Sequence, residues 1–298
     1  MFRKYIFPAI LIISLVLLHL YIPNILLVNL NISNSKLTLG VTYWYSTDTD
    51  WDLYQNFDLM NKTGIKVIRI PLYTDITDIL SNSYNLTKVF FELVEHYNFS
   101  VALMVSETVT QYIPKESVDF YFEKWGKYIT YVQILNEPEL LTGWTLQYPL
   151  IPEELYNLFT DAYNKVVNAT QKYNCKPLLY TNFSPVAIIR SDVPAKLCPY
   201  LDFVGIDIYM DAGIQTFYYF YRALQKMSNK PIIVAEFGYV AENKEAQKNF
   251  ILSAIKTFQN LEITQAWIHD WSSSSPPYNY NIRNNSVLLE ELSKYANS

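Results

Sequence analysis

Eight short runs of β-branched and apolar residues, separated by stretches with helical periodicity, leave this chain few possible folds. The runs are Thr38–Tyr45, Lys66–Leu72, Ser100–Val105, Tyr131–Asn136, Pro177–Asn182, Asp202–Asp207, Pro231–Glu236 and Ile263–Ile268. Near-continuous apolar strands of this kind are buried on both faces, as in parallel sheets. Between them, sets such as Leu53, Phe57 and Met60, or Phe250, Ile251, Ala254, Ile255 and Phe258, recur at helical spacing. The pattern is weakest between Pro185 and Pro199, and a final helix is expected over Val287–Tyr295. Strands alternating with helices imply parallel pairing through right-handed crossovers. Eight such units in about 260 residues predict an α/β fold of the closed (β/α)8 TIM-barrel type. The alternative is an open doubly wound sheet. That fold usually carries a glycine-rich first turn for a nucleotide, and no GxGxxG or Walker pattern occurs here.

The barrel is preceded by a hydrophobic segment. Arg3 and Lys4 stand before an almost unbroken apolar run from Tyr5 to Ile22, which continues past Pro23 and Asn24 to Leu30. A cleaved signal peptide has an apolar stretch of about 7–15 residues and a small-residue cleavage site. This run is longer and no Ala-x-Ala follows it, while about 20 apolar residues suffice to span a bilayer. Residues 1–27 are therefore expected to act as a signal-anchor, the chain's only membrane contact, with a cleaved signal as the alternative. Residues 28–37 read as a polar tether and 38–298 as the barrel domain. Positive charges ahead of the run place the remainder outside the cell. Asn-x-Ser/Thr sequons at Asn31, Asn61, Asn85, Asn98, Asn168, Asn182 and Asn284 agree with that location. Asn182 is the doubtful one, at a strand end with Pro185 just beyond.

Composition narrows the function. Half of the residues are hydrophobic and 17% charged, which suits a large core. A net charge of −5 with no basic cluster argues against nucleic acid as a partner. Three histidines and two cysteines, none at metal-ligand spacing, give no metal site, and no cofactor motif is present.

Two of the strand-like runs end on acids: Tyr131-Val-Gln-Ile-Leu-Asn-Glu-Pro138 on Glu137, and Pro231-Ile-Ile-Val-Ala-Glu-Phe-Gly238 on Glu236. A buried strand that stops at a carboxylate sets a costly charge at the mouth of a core. Two such acids can work on one substrate atom, as general acid and as nucleophile. In a TIM barrel, functional residues collect at the C-terminal strand ends. There the assignment also places Arg69 in strand 2, Tyr209 just past strand 6 and Trp267 near the end of strand 8.

This set resembles clan A of the glycoside hydrolases, the retaining β-glycosidases built on this barrel. Asn136-Glu137-Pro138 is similar to the strand 4 acid/base signature, and Glu236 in Ala-Glu-Phe-Gly to the strand 7 nucleophile. The resemblance covers about residues 38–295. It implies that Glu137 protonates the leaving oxygen and later activates water, and that Glu236 attacks the anomeric carbon. It further implies that Arg69 and Tyr209 keep Glu236 ionised, that Asn136 bonds the sugar 2-hydroxyl, and that Trp267 forms a platform under the sugar. Glu107 and Asp270, also near strand ends, lack these contexts. In glycoside hydrolase family 5 a histidine often ends strand 3 and another stands two before the strand 6 tyrosine; here those places hold Ser106 or Glu107, and Asp207.

Aromatic residues reach 16%. Trp44 and Tyr45 follow strand 1, Trp144 and Tyr148 follow strand 4, and Trp271 and Tyr278 follow strand 8. Their flat faces suit the C–H faces of sugars, so Trp44, Trp144 and Trp271 are candidate subsite residues beside Trp267. The expected function is a retaining glycosidase acting on extracellular carbohydrate. A silent carbohydrate-binding barrel and a transglycosylase are the alternatives. Finally, Cys175 and Cys198 stand just before strands 5 and 6. Neighbouring strands lie about 5 Å apart, so the pair is expected to form a disulfide.

Overall fold

The computed structural model describes residues 37–74, 77, 81–105, 113–138, 153–190, 192–272 and 279–296. The expected anchor, most of the tether, and Ser106, Glu107, Trp144, Tyr148 and Tyr278 lie outside these. Among the described residues no helix is long and apolar enough to cross a membrane.

All eight expected strands form: β1 Thr38–Thr42, β2 Val67–Pro71, β3 Ser100–Met104, β4 Ile129–Gln133, β5 Leu178–Phe183, β6 Phe203–Tyr209, β7 Ile232–Gly238 and β8 Gln265–Ile268. Each pairs in parallel with the next, and β8 returns to β1 to close the barrel. The intervening helices are α1 Asp50–Lys62, α2 Asn82–Tyr97, α3 Lys115–Trp125, α4 Glu153–Lys172, the short α5 Pro185–Arg190 and α6 Val193–Leu197, then α7 Met210–Met227 and α8 Lys244–Asn260; α9 Ser286–Ala296 ends the chain. The weak pattern before β6 thus resolves into two short helices.

Helix starts follow local chemistry. Thr49 accepts from the Asp52 amide while the Asp52 carboxylate accepts from the Thr49 amide, a capping box that begins α1. Asn243 accepts from the Ala246 amide at the start of α8.

Side chains sort into two apolar layers. The larger lies between the strands and the ring of helices. The smaller fills the barrel interior with Val67, Ala102, Tyr131, Tyr180, Ile233, Ala235 and Trp267. Trp267 is fully buried there, with ring centroids 5.5 Å from Tyr131 and 5.1 Å from Tyr180. Gly40 is its register partner on β1, and a Cβ at that position would lie 2.4 Å from the indole Cδ1. Glycine there gives the indole its place. Trp267 is therefore the floor of the barrel, which corrects its expected role as a sugar platform. Side chains alternate along a strand, so Trp267 points inward one layer below the mouth.

The expected disulfide is absent: Cys175 and Cys198 are free thiols. The two turn toward different neighbours. Cys175 packs toward Gly126 before β4, with its Sγ 3.5 Å from the Tyr173 carbonyl. Cys198 is buried in the turn before β6, near Ser228. Burial pushes both thiols above the ordinary value.

Denatured, unreduced protein should therefore titrate with two reactive thiols, and reductant should leave Tm unchanged. Trp267→Ala should cost about 3–5 kcal/mol by opening a cavity in the barrel floor, measured by denaturant unfolding.

Candidate active site

Above the Trp267 layer the barrel interior turns polar. Its centre is Arg69 on β2, a guanidinium 1% exposed. Its Nε donates to Gln133 Oε1 at 2.7 Å and its Nη1 to Thr42 Oγ1 at 3.0 Å. Its Nη2 reaches Asn136 Oδ1 at 3.0 Å, Met104 Sδ at 3.2 Å and Glu236 Oε1 at 2.7 Å. A buried charge needs this density of partners. Thr42, Met104 and Gln133 end strands β1, β3 and β4, so three strand ends hold one cation.

Glu236 faces the interior because β7 carries an irregularity. Ile206 pairs with Val234, but the next residue, Asp207, pairs with Glu236, so Ala235 is an extra residue. Strict alternation from Val234, which packs in the outer layer, would send Glu236 outward and Phe237 inward, whereas Phe237 packs in the outer layer. The extra residue lets both Ala235 and Glu236 face inward, as a β-bulge does. Burial alone would raise the Glu236 carboxyl. The Arg69 charge, and then the hydrogen bond from the Tyr209 hydroxyl, bring it below the ordinary glutamate value. Burial and the nearby acids Glu236, Asp207 and Glu137 raise the Tyr209 phenol, so it stays a donor.

Glu137 is half-buried, four residues beyond the end of β4. The strand stops at Gln133 rather than Asn136, although the Ile134 amide still bonds the Tyr180 carbonyl at 2.9 Å. Glu137 has φ +38°, a left-handed conformation that costs a non-glycine residue roughly 1–2 kcal/mol. Its amide donates to Asn182 Oδ1 at 3.3 Å. Asn182 Nδ2 in turn bonds the same Asn136 oxygen that Arg69 reaches, and Arg69 holds Glu236, so both glutamates stand at this mouth.

Asn136 points its oxygen inward, accepting from Arg69 Nη2, Gln133 Nε2 (2.9 Å) and Asn182 Nδ2 (2.8 Å). These three donors fix which end of the Asn136 carboxamide faces inward.

Of the residues expected from sequence, Arg69, Asn136, Glu137, Tyr209 and Glu236 come together. Trp271 does not join them. It is fully buried, with its Nε1 donating to Asn56 Oδ1 at 3.1 Å and its amide to the Thr42 carbonyl. Its indole is committed to tying the loop after β8 to α1, which corrects its expected subsite role. Trp44 is half-buried after β1. Asn182 is fully buried on β5, so it is not a glycosylation site.

Sequence reasoning missed Gln133, Asn182 and His269. Gln133 accepts from Arg69 and from Tyr180 and donates to Asn136 and Asn182. Both Gln133 and Asn182 are polar residues inside apolar strands, a signal in itself, since a buried amide requires partners. His269 follows β8, with Nδ1 3.6 Å from Glu236 Oε2 and its ring edge-on to Tyr209. Burial lowers its imidazole, with Arg69 acting in the same direction against the pull of Glu236, so the ring is neutral at neutral pH. Among the described residues no cluster of His, Cys, Asp and Glu could hold a metal ion.

No family model matches the sequence, and no curated protein matches it. Solved structures do match the fold. A β-glucosidase from Thermotoga maritima in complex with deoxynojirimycin has a TM-score of 0.62 at 10% identity, over 88% of this chain and 97% of that one. An endo-1,4-β-D-mannanase from Thermotoga petrophila reaches 0.64 at 10% identity, over 88% and 99%. A β-glucuronidase from Bacteroides uniformis reaches 0.62 at 14% identity, over 83% of this chain and 32% of that one. These neighbours are TIM-barrel glycoside hydrolases, and the resemblance to clan A read from the motifs holds at the level of the fold.

Arg69→Met should destabilise the protein by about 3–5 kcal/mol, because it leaves Glu236 buried without its cation. The folded Glu236 value is lowered, so its contribution to stability is complete above the ordinary glutamate range. It is lost as pH falls through the lowered folded value. Wild-type stability should therefore fall on acidification through that window, and the slope there should shrink in Arg69→Met. Denaturant melts at several pH values measure both.

Proposed function

We propose that this chain is a retaining glycoside hydrolase that cleaves β-glycosidic bonds by double displacement. The observation that carries this reading is the state of Glu236. It is a buried carboxylate kept ionised by Arg69 and Tyr209 at the C-terminal mouth of the barrel, beside a second glutamate. A nucleophile must be ionised, and a partner acid must share its mouth.

In the first step a Glu236 oxygen attacks the anomeric carbon. The glycosidic C–O bond breaks, and Glu137 gives its proton to the departing oxygen. In the second step Glu137, now a carboxylate, takes a proton from water. The water oxygen attacks the anomeric carbon, and Glu236 leaves as a carboxylate. Arg69 and Tyr209 stabilise Glu236 whenever it is free. The Asn136 carboxamide, held by three donors to its oxygen, offers its N–H to a sugar hydroxyl.

We place the reaction outside the cell, on a domain anchored by residues 1–27. Five sequon asparagines, Asn61, Asn85, Asn98, Asn168 and Asn284, are exposed on the barrel and open to glycan attachment, which supports that location.

Aryl β-glycosides test the chemistry. Proton NMR should detect the β-anomer as the first product; the α-anomer would mean inversion and overturn the assignment. Glu236→Ala should abolish turnover with the fold retained. Glu137→Ala should slow phenyl glycosides by about 10²–10⁴-fold and dinitrophenyl glycosides far less, since good leaving groups need little protonation. The acid limb of kcat/KM should fall below the ordinary glutamate value of about 4.3, because Glu236 is the group that must stay ionised. Transfer to an added acceptor sugar would identify a transglycosylase, and absence of turnover a carbohydrate-binding barrel.

A further inference from the structure

We propose that Asn182 is a positioning residue for Glu137, itself oriented by Asp207. This rests on the reading of Glu137 as the acid/base of a glycosidase.

Asn182 lies near the end of β5 with all of its carboxamide occupied. Its Oδ1 accepts from the Glu137 amide at 3.3 Å and from Gln133 Nε2 at 2.5 Å. Its Nδ2 donates to Asn136 Oδ1 at 2.8 Å and to Asp207 Oδ2 at 2.5 Å. Asp207 on β6 is 1% exposed and is only an acceptor when ionised, so it fixes which end of the Asn182 amide turns toward it. The oxygen is then left to face the Glu137 amide. One carboxamide therefore grips two consecutive residues, Asn136 by its side chain and Glu137 by its backbone.

That grip falls where the chain needs it. Glu137 is the only described residue between β4 and α4 with a left-handed backbone, at φ +38°. It lies beyond the paired residues of β4, and the hydrogen bond from its amide to Asn182 ties this conformation to β5. Gly205 on β6 pairs with Asn182, and a Cβ there would stand 2.9 Å from the Asn182 Cβ. The space that lets Asn182 sit in this place is thus also built into the fold.

Such a residue acts on protonation more than on nucleophilic attack. Asn182→Ala removes every contact. Asn182→Asp keeps the size but loses both donations and sets a like charge against Asp207. In both variants kcat/KM should fall along a series from dinitrophenyl to phenyl β-glycosides. The loss should be about 10- to 100-fold larger at the phenyl end, a fraction of full general-acid catalysis. A residue that only supports the fold would lower all members equally, and that result would overturn the proposal. The Asp variant carries the test if the Ala variant does not fold. A crystal structure of either variant gives a reading independent of activity: Glu137 should leave φ +38° and its carboxyl group should move. An unmoved Glu137 would also overturn the proposal. If the wild-type protein hydrolyses no glycoside, the glycosidase reading fails, while the crystallographic comparison still decides whether Asn182 holds Glu137.

Discussion

The buried charge of Arg69 organises the mouth of this barrel. A guanidinium taken out of water is expensive, and the cost is offset only when its N–H groups and its charge are met together. Here the partners are Thr42, Met104, Gln133, Asn136 and Glu236, from β1, β3, β4, the loop after β4, and β7. No single strand could supply that set. Satisfying Arg69 requires the barrel to be closed and in register, so the fold and the site depend on one another. The same contacts lower the Glu236 carboxyl against its burial. An interaction that barely breaks even for stability is what makes a buried carboxylate available as an anion.

The interior below is arranged so that this polar layer can exist. Trp267, Tyr131 and Tyr180 fill the lumen as a dry floor, and Gly40 clears the space for the indole. Tyr180 joins the two layers: its ring packs against Trp267 while its hydroxyl donates to Gln133 at 2.8 Å. Water excluded from below leaves the electrostatics of the mouth to the protein's own groups, which makes each of them stronger.

The barrel was legible because its signals repeat. Eight apolar runs and their helical spacers each carry a weak indication, and together they permit one closed topology. The two glutamates of the mouth were legible because acids that close apolar runs are costly. What escaped depended on a residue's facing direction, which a run of apolar residues does not state. The extra residue at Ala235 reverses the alternation just where Glu236 begins, and no local pattern announces it. Trp267 and Trp271 were read by type as sugar platforms, yet one lies a layer too deep and the other is tied to Asn56. The cysteines were paired by strand adjacency, while their side chains turn to different neighbours. Gln133 and Asn182 were within reach, since an amide inside a buried strand must find partners, and those partners prove to be the site itself.

Among the described residues, Asp207, Glu236 and Glu137 reach this mouth in different surroundings. Asp207 is buried against Asn182 and accepts from its amide. Glu236 is nearly as buried, but it meets a cation and a phenol, so burial does not neutralise it. Glu137 stands nearer to solvent on a turn outside the sheet. The retaining hydrolysis proposed here would use this asymmetry: one carboxyl held charged and still, another able to lose and regain a proton. The place two residues before Tyr209, often histidine in glycoside hydrolase family 5, is Asp207 here. The Asn182 amide that Asp207 orients then completes the shell around Glu137 from beneath. The proposed pair would then depend on direction and charge rather than on particular neighbours.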